Sequence, residues 1–360
     1  MQPTSTKWSA LLGATLLAVA AGLCGQGCAP KQPAWKSAAM EVAEIAADIV
    51  LAADNGGLFY AYDTLAYPAE PVDLIARALS VKKLKYTKGV TVEFLLGKES
   101  LGQATSGDDG VAKISWTPPR AGDYEITAKI TAVEDDEFEN LLDVSPAPLL
   151  VAARAKDARF VVIDLDHTVV ASSFARVLFA QAEPMPKAAD MVKRLGKDYS
   201  IIYLTHRPNL LTTKSKGWLA DNGFPAAPLL VSTLTQAIGD SGKFKTARLK
   251  SLRKQFPGVA IGIGDKLSDA KAYVDNGLKA YFIPNYDRSG DNEKDLRKLS
   301  RQLRQLNQNV QVVDNWDQIE AGIYADKKFP PKAYADRLDA RAKQIEADKR
   351  RQEDDDDDDD

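Results

Sequence analysis

Apolar positions in this chain follow two rhythms, and the change comes between Leu150 and Phe160. In the first part they alternate with polar ones over short stretches: Val72 to Ala78, Val90 to Leu95, Val111 to Trp116 and Tyr124 to Ile130. Such alternation puts one set of side chains on each face of a half-buried strand. Asp108-Asp109-Gly110 and Pro118 to Asp123 punctuate these stretches as turns. Regular short strands with turns between them predict an all-β sandwich over residues 55–150. From Phe160 onward the apolar residues come in unbroken runs. Phe160 to Ile163, Ile201 to Leu204 and Val259 to Ile263 read as strands buried on both faces. Pro186 to Leu195 and Leu210 to Asn222 carry apolar residues at helical spacing. Buried strands alternating with amphipathic helices predict an α/β domain over residues 151–323, with three layers and a mostly parallel sheet.

Chemistry-bearing residues cluster where these runs end. The first strand runs into Asp164-Leu165-Asp166-His167-Thr168. At the carboxyl end of a parallel strand the chain turns into a loop, and two acids spaced i, i+2 can then line one crevice. Buried acids without a partner are costly, so a cation is expected beside them. The second strand ends in Thr205-His206-Arg207-Pro208 and the third in Gly264-Asp265, followed by Lys266-Leu267-Ser268-Asp269. Between them Gly242-Lys243-Phe244-Lys245 opens a helical run. Lys243 and Lys245 are close enough to exchange roles. Asp269 is either a metal ligand or a helix cap, and Thr168 serves either the turn or a ligand. The two histidines, His167 and His206, each follow a candidate residue directly, but no cysteine or third histidine completes a zinc site.

The four segments in this order resemble motifs I to IV of the haloacid dehalogenase superfamily of phosphotransferases. Tyr203 to Pro208, Trp218-Leu219, Asn222 to Pro225 and Lys245 to Lys250 resemble one branch of it. That branch holds the lipin-type and actin-patch phosphatidate phosphatases and the C-terminal domains of the large phosphatidylinositol transfer proteins. The sequence departs from lipins in carrying Thr205-His206-Arg207 for Ser-Ala-Arg and Gly264-Asp265 for Gly-Asn. The resemblance implies a magnesium-dependent phosphatase that works through an aspartyl-phosphate. It makes Asp164 the nucleophile and Asp166 the general acid and base. Thr205 would donate to a phosphoryl oxygen, and Lys245 would offset the charge of Asp164 and the phosphate. The Mg²⁺ ligands would be the Asp164 carboxylate, the Asp166 carbonyl, Asp265 and Asp269. A phosphatidate-like phosphomonoester is the implied substrate. The rivals are a phosphatidic-acid-binding module without turnover, as the transfer-protein domains suggest, a surface protein whose main role lies in the β-sandwich, and a phosphatase of small phosphomonoesters or phosphorylated polymers. The stretches from Asp166 to Thr205 and from Thr205 to Lys245 are filled by core helices and strands, which leaves an open site without a lid domain.

The termini add an address. Residues 1–28 read as a secretory leader: Lys7 is followed by an apolar, uncharged run from Trp8 to Leu23. Both cysteines, Cys24 and Cys28, close that run, so the body has no disulfide framework. Cys28 after Gly27 resembles a bacterial lipoprotein site, which implies a lipid-anchored protein of the cell envelope with a membrane surface as partner; ordinary cleavage and an uncleaved anchor are the alternatives. Residues 29–54 read as a tether and a short helix from Ala38 to Ala53. The sandwich resembles the immunoglobulin-like domains of bacterial surface proteins, and it reads as a spacer or as a binding module. Lys82, Lys83, Lys85 and Lys88 form a basic cluster that fits a solvated loop or an anionic surface. Residues 324–360 read as a charged, exposed helix and a disordered acidic run. The formal net charge is −3, and setting aside the eight acids Glu353 to Asp360 leaves +5. Neither balance marks a nucleic-acid binder.

Overall fold

The computed structural model describes residues 53–81, 83, 85–171, 182–237, 239–286 and 292–357, with side chains described up to 351. The leader, Cys28, the helix expected from Ala38 and Lys82 lie outside these residues, Ala53 excepted. By contact the chain divides into two compact units. The first is Met1–Ala158, Ser172–Glu183 and Ile202–Phe244; the second is Arg159–Ala171, Pro184–Ile201 and Lys245–Asp360.

The N-terminal half of the first unit is a sandwich of two sheets. One sheet holds β1 (Gly57–Ala61), β3 (Val72–Ser80) and β4 (Lys85–Tyr86), with β7 (Val111–Trp116) on β3. The other runs β2 (Thr64–Ala66), β9 (Ala147–Ala153), β8 (Gly122–Val133), β5 (Val90–Leu96), β6 (Glu99–Thr105). The alternating stretches are strands as the pattern requires. In β5, Val90, Val92 and Phe94 are buried while the residues between them are half-buried. Their inward side chains join Leu74, Ala76, Ile126, Ala128 and Val151 in one apolar core. Strands β1, β2, β4, β6 and β9 were not anticipated. β1 is buried along its length and β6 has no buried residue, so neither shows alternation.

Six further strands form one parallel sheet. In spatial order they are β12 (Leu229–Ser232), β11 (Ser200–Pro208), β10 (Phe160–Ile163), β13 (Val259–Gly264), β14 (Lys279–Phe282) and β15 (Val310–Val312). The helices are α1 (Ala188–Leu195), α2 (Thr212–Asp221), α3 (Leu234–Ala237), α4 (Ser241–Gln255), α5 (Leu267–Asp275), α6 (Glu293–Leu303), α7 (Trp316–Tyr324) and α8 (Pro331–Asp357). The molecule is thus sandwich-like sheets followed by an α/β region. Among the described residues no helix is long and apolar enough to cross a membrane.

The C-terminal helix departs from expectation in two ways. It is not an exposed rod: Tyr334, Ala335, Leu338, Ala342 and Ile345 are buried. Their i, i+4, i+8, i+11 spacing makes a stripe, and α8 packs on α6. Arg297–Glu346, Arg304–Asp336 and Lys349–Glu293 ion pairs flank that seam. The high charge hid the stripe because alanines fill two of its five positions. The helix also continues to Asp357, into the acidic run. Extending an existing helix adds one bond for each residue fixed, without a new nucleation cost.

Candidate functional site

Strand register brings the acids together in the second unit. β10 and β13 are parallel neighbours with Ile163 opposite Ile263. The Asp164 N–H donates to the Ile263 carbonyl at 2.9 Å. Asp164 and Asp265 therefore leave adjacent strands side by side, at the carboxyl edge where open α/β sheets take ligands. Asp269 comes from the first turn of α5. Carboxylate oxygens of Asp164, Asp265 and Asp269 all lie within 4.8 Å of one another, and all three residues are buried.

Lys245, on α4, points its ammonium into this group. Its Nζ lies 2.8 Å from Asp164 Oδ1 and 2.8 Å from Asp269 Oδ2. It is 1% exposed, whereas Lys243 is exposed and uses its backbone N–H on Asp240. The choice between the two lysines is settled by which face of α4 they occupy. Asp269 does not cap α5: its Oδ1 has no hydrogen-bond partner, and neither does Asp265 Oδ1.

Three carboxylates face one ammonium, so two negative charges are left over when all are ionised. Without a further cation the protein resolves this by holding protons. Burial, then Asp164 and Asp269, pushes the Asp265 carboxyl up to about 9. Burial pushes Asp269 up to about 6, with Lys245 opposing and Asp164 adding to it. Burial by itself would lower Lys245, but Asp164 and Asp269 hold it above its usual value. An all-oxygen donor set, two unpartnered buried carboxylate oxygens and surplus negative charge fit a hard divalent cation. A pH signature follows. Metal-free, the folded state binds protons at Asp265 and Asp269 that the unfolded chain releases near 3.8, so stability falls as pH rises toward 6 and then 9. Added Mg²⁺ should raise the melting temperature more at about pH 8.5 than at about pH 5. Equal shifts at both would argue against this cluster as the ion's site.

Two glycines make the approach feasible. A Cβ on Gly264 would stand 2.8 Å from Asp269 Oδ2 and 2.9 Å from its Cβ. A Cβ on Gly262 would overlap the Tyr273 ring, whose hydroxyl donates to the Ile263 carbonyl at 3.1 Å. Glycine inside a strand signals such a close approach, and the Gly262-Ile263-Gly264 spacing carried that signal unread. Gly264→Ala should push Asp269 out of the cluster and weaken Mg²⁺ affinity by about tenfold or more. Calorimetric titration with Mg²⁺ checks this, and an unchanged affinity would remove Asp269 from the ligand set.

The other predicted residues of the first loop add no side-chain carboxylate to the cluster. Asp166 is half-buried and outside the three-carboxylate group. His167 is in the left-handed region at φ 54°, which turns the chain after Asp166. Burial holds its imidazole below the usual value, with Asp166 opposing. Thr168 is buried; its carbonyl accepts from Trp316 Nε1 at 3.0 Å and its Oγ1 has no partner. Trp316 on α7 was not anticipated as a support of this turn, because nothing local links positions so far apart.

Thr205, His206 and Arg207 lie on β11 in the first unit. There Leu204 pairs with Leu230 and Pro208 with Ser232, so three residues of β11 face one of β12. The segment is a bulge. Thr205 is fully buried, and its Oγ1 accepts from the Arg207 N–H at 3.3 Å. His206 Nε2 meets the Gln236 carbonyl at 2.8 Å, and Arg207 donates to Ser215 Oγ at 3.0 Å.

Comparison with known proteins bears on the α/β part. The family described as "PITM 1-3, LNS2 domain" matches residues 161–283. No curated protein matches the chain. Among solved structures, a chain of the Pnkp1/Rnl/Hen1 RNA repair complex is 17% identical over 37% of this chain and 45% of its own length, with a TM-score of 0.32. The D0-D1 domain of intimin is 16% identical over 28% of this chain and 48% of its own, with a TM-score of 0.19. Parabacteroides merdae β-glucuronidase is 13% identical over 71% and 33%, with a TM-score of 0.26. The chain thus spans less than half the length of each of these structures. Residues 161–283 are an LNS2 domain of the lipin-related, haloacid dehalogenase-like type.

Proposed function

We propose that this protein is a magnesium-dependent phosphatase acting on a phosphatidate-like phosphomonoester. The observation that supports it most is the buried Asp164–Asp265–Asp269 cluster with Lys245 salt-bridged into it. Mg²⁺ held by Asp164, Asp265 and Asp269, with the Asp166 carbonyl, would offset the charge of nucleophile and phosphate. Asp164 attacks phosphorus and forms an aspartyl-phosphate. Asp166 protonates the leaving oxygen, then takes a proton from the water that opens the intermediate. Lys245, 2.8 Å from Asp164 Oδ1, holds the nucleophile in place and offsets its charge. Thr205 donates to a phosphoryl oxygen.

The lipid rests on the LNS2 match over residues 161–283 and on the open reading of the site. A lipid on Cys28 would tether the chain to an envelope membrane, where that substrate lies. The same match supports a second reading, a domain that binds phosphatidic acid without hydrolysing it. A screen of phosphatidic acid, lysophosphatidic acid, sugar phosphates and nucleotides, with and without Mg²⁺, decides among these. Metal-dependent phosphate release from the lipids is expected. Tight vesicle binding with no release from any substrate would favour the binding module.

A further inference from the structure

At the bulge over Thr205–Arg207 the register of β11 on β12 shifts, three residues facing one. Bulges re-aim side chains beside active sites, and they persist only where their surroundings fix them. Part of the support comes from β12: Ser232 Oγ donates to the His206 carbonyl at 2.8 Å and lies 3.1 Å from the Arg207 carbonyl. The rest comes from the sandwich, within the same compact unit.

Asn209, two residues past the bulge, is fully buried, and its Nδ2 donates to Tyr62 Oη at 2.6 Å. Leu210 inserts into an apolar cluster with Leu58, Tyr60 and Leu79. Next along the chain, Lys216 Nζ meets Asp63 Oδ1 at 2.5 Å and the Pro148 carbonyl at 2.8 Å. Asp63 is 5% exposed and takes two backbone N–H groups as well, Leu150 at 2.7 Å and Leu229 at 2.8 Å. One buried carboxylate therefore ties the sandwich strand β9, the helix α2 and the start of β12 together.

We propose that the sandwich is the clamp of the motif II bulge, with Tyr62 and Asp63 as positioning residues that set Thr205 for phosphate contact. The proposal rests on the phosphatase reading for its kinetics and on geometry alone for its mechanics. A spacer would leave Asn209 and Lys216 to solvent; here both are held on the sandwich. The sequence could not show this, because Tyr62 and Asp63 sit 147 and 153 positions from their partners.

The test uses the full chain and three variants, Tyr62→Phe, Lys216→Met and Lys216→Arg. Amide hydrogen exchange is read over residues 203–211, with α5 as the internal reference. Tyr62→Phe should speed exchange in 203–211 by about tenfold and leave α5 unchanged. With phosphatidic acid as substrate it should raise KM about fivefold while kcat moves less than about twofold. Lys216→Arg should restore what Lys216→Met loses. A purely structural contact would instead lower the melting temperature and leave KM of the folded protein unchanged. Unaltered exchange over 203–211 in both Tyr62→Phe and Lys216→Met overturns the clamp. Should wild type release no phosphate, the phosphatase reading fails, and the exchange measurement still decides the clamp.

Discussion

Replacing Asp164 by Asn is expected to abolish phosphate release, lowering kcat by about 10³-fold or more with the chain still folded. The amide keeps the size of the carboxylate but cannot attack phosphorus, and about 4 kcal/mol of barrier corresponds to that factor. The substitution also removes the Asp164 partner that Lys245 contacts at 2.8 Å, so part of the effect will come from a reoriented lysine. Acid-stable phosphoprotein trapped on wild type and missing from Asp164→Asn separates the two contributions, since only loss of the nucleophile removes the covalent species. A variant that kept a tenth of wild-type turnover would place the nucleophile elsewhere. Asp166→Asn should behave differently: phosphoprotein should form slowly and then persist, because the same residue activates the water.

Lys245→Met is the second large effect, and it reads on stability. The lysine is 1% exposed and is salt-bridged to two of the three buried carboxylates, Asp164 and Asp269. Taking one partner from a buried ion pair typically costs about 3–5 kcal/mol, because the charge left behind is neither solvated nor paired. The loss should be largest in metal-free protein near pH 8 and smaller near pH 5, where Asp269, with its raised value of about 6, takes up a proton. Mg²⁺ should return part of the stability by replacing the missing positive charge. Chemical unfolding at the two pH values, with and without the ion, checks the ordering. A variant as stable as wild type at pH 8 without metal would mean that the carboxylates are already neutral and that the lysine contributes little to the fold.

The strands that carry chemistry were legible because burial on both faces leaves a plain mark. Phe160 to Ile163 and Val259 to Gly264 are unbroken apolar runs, and the acids stand at their ends. Edge elements left weaker marks. β15 has three residues, and β6 has no buried face to impose a period. The stripe on α8 was obscured by alanines among charges, and the Gly262–Gly264 pair was visible without its purpose.

What the sequence determined by itself was the local vocabulary: alternating strands before Leu150, buried strands after Phe160, and acids and a lysine at strand and helix ends. Those follow from side-chain period and burial, which are properties of neighbouring residues. Tertiary structure alone decided that Lys245 and not Lys243 meets the acids, that Asp269 is a prospective ligand and not a cap, and that Tyr62 and Asp63 hold the chain after Thr205. Each of these depends on which groups, remote in sequence, are brought within about 3 Å in a buried place. There an unpaired charge is expensive, and so the pairing is selected by the fold and not by the local chain.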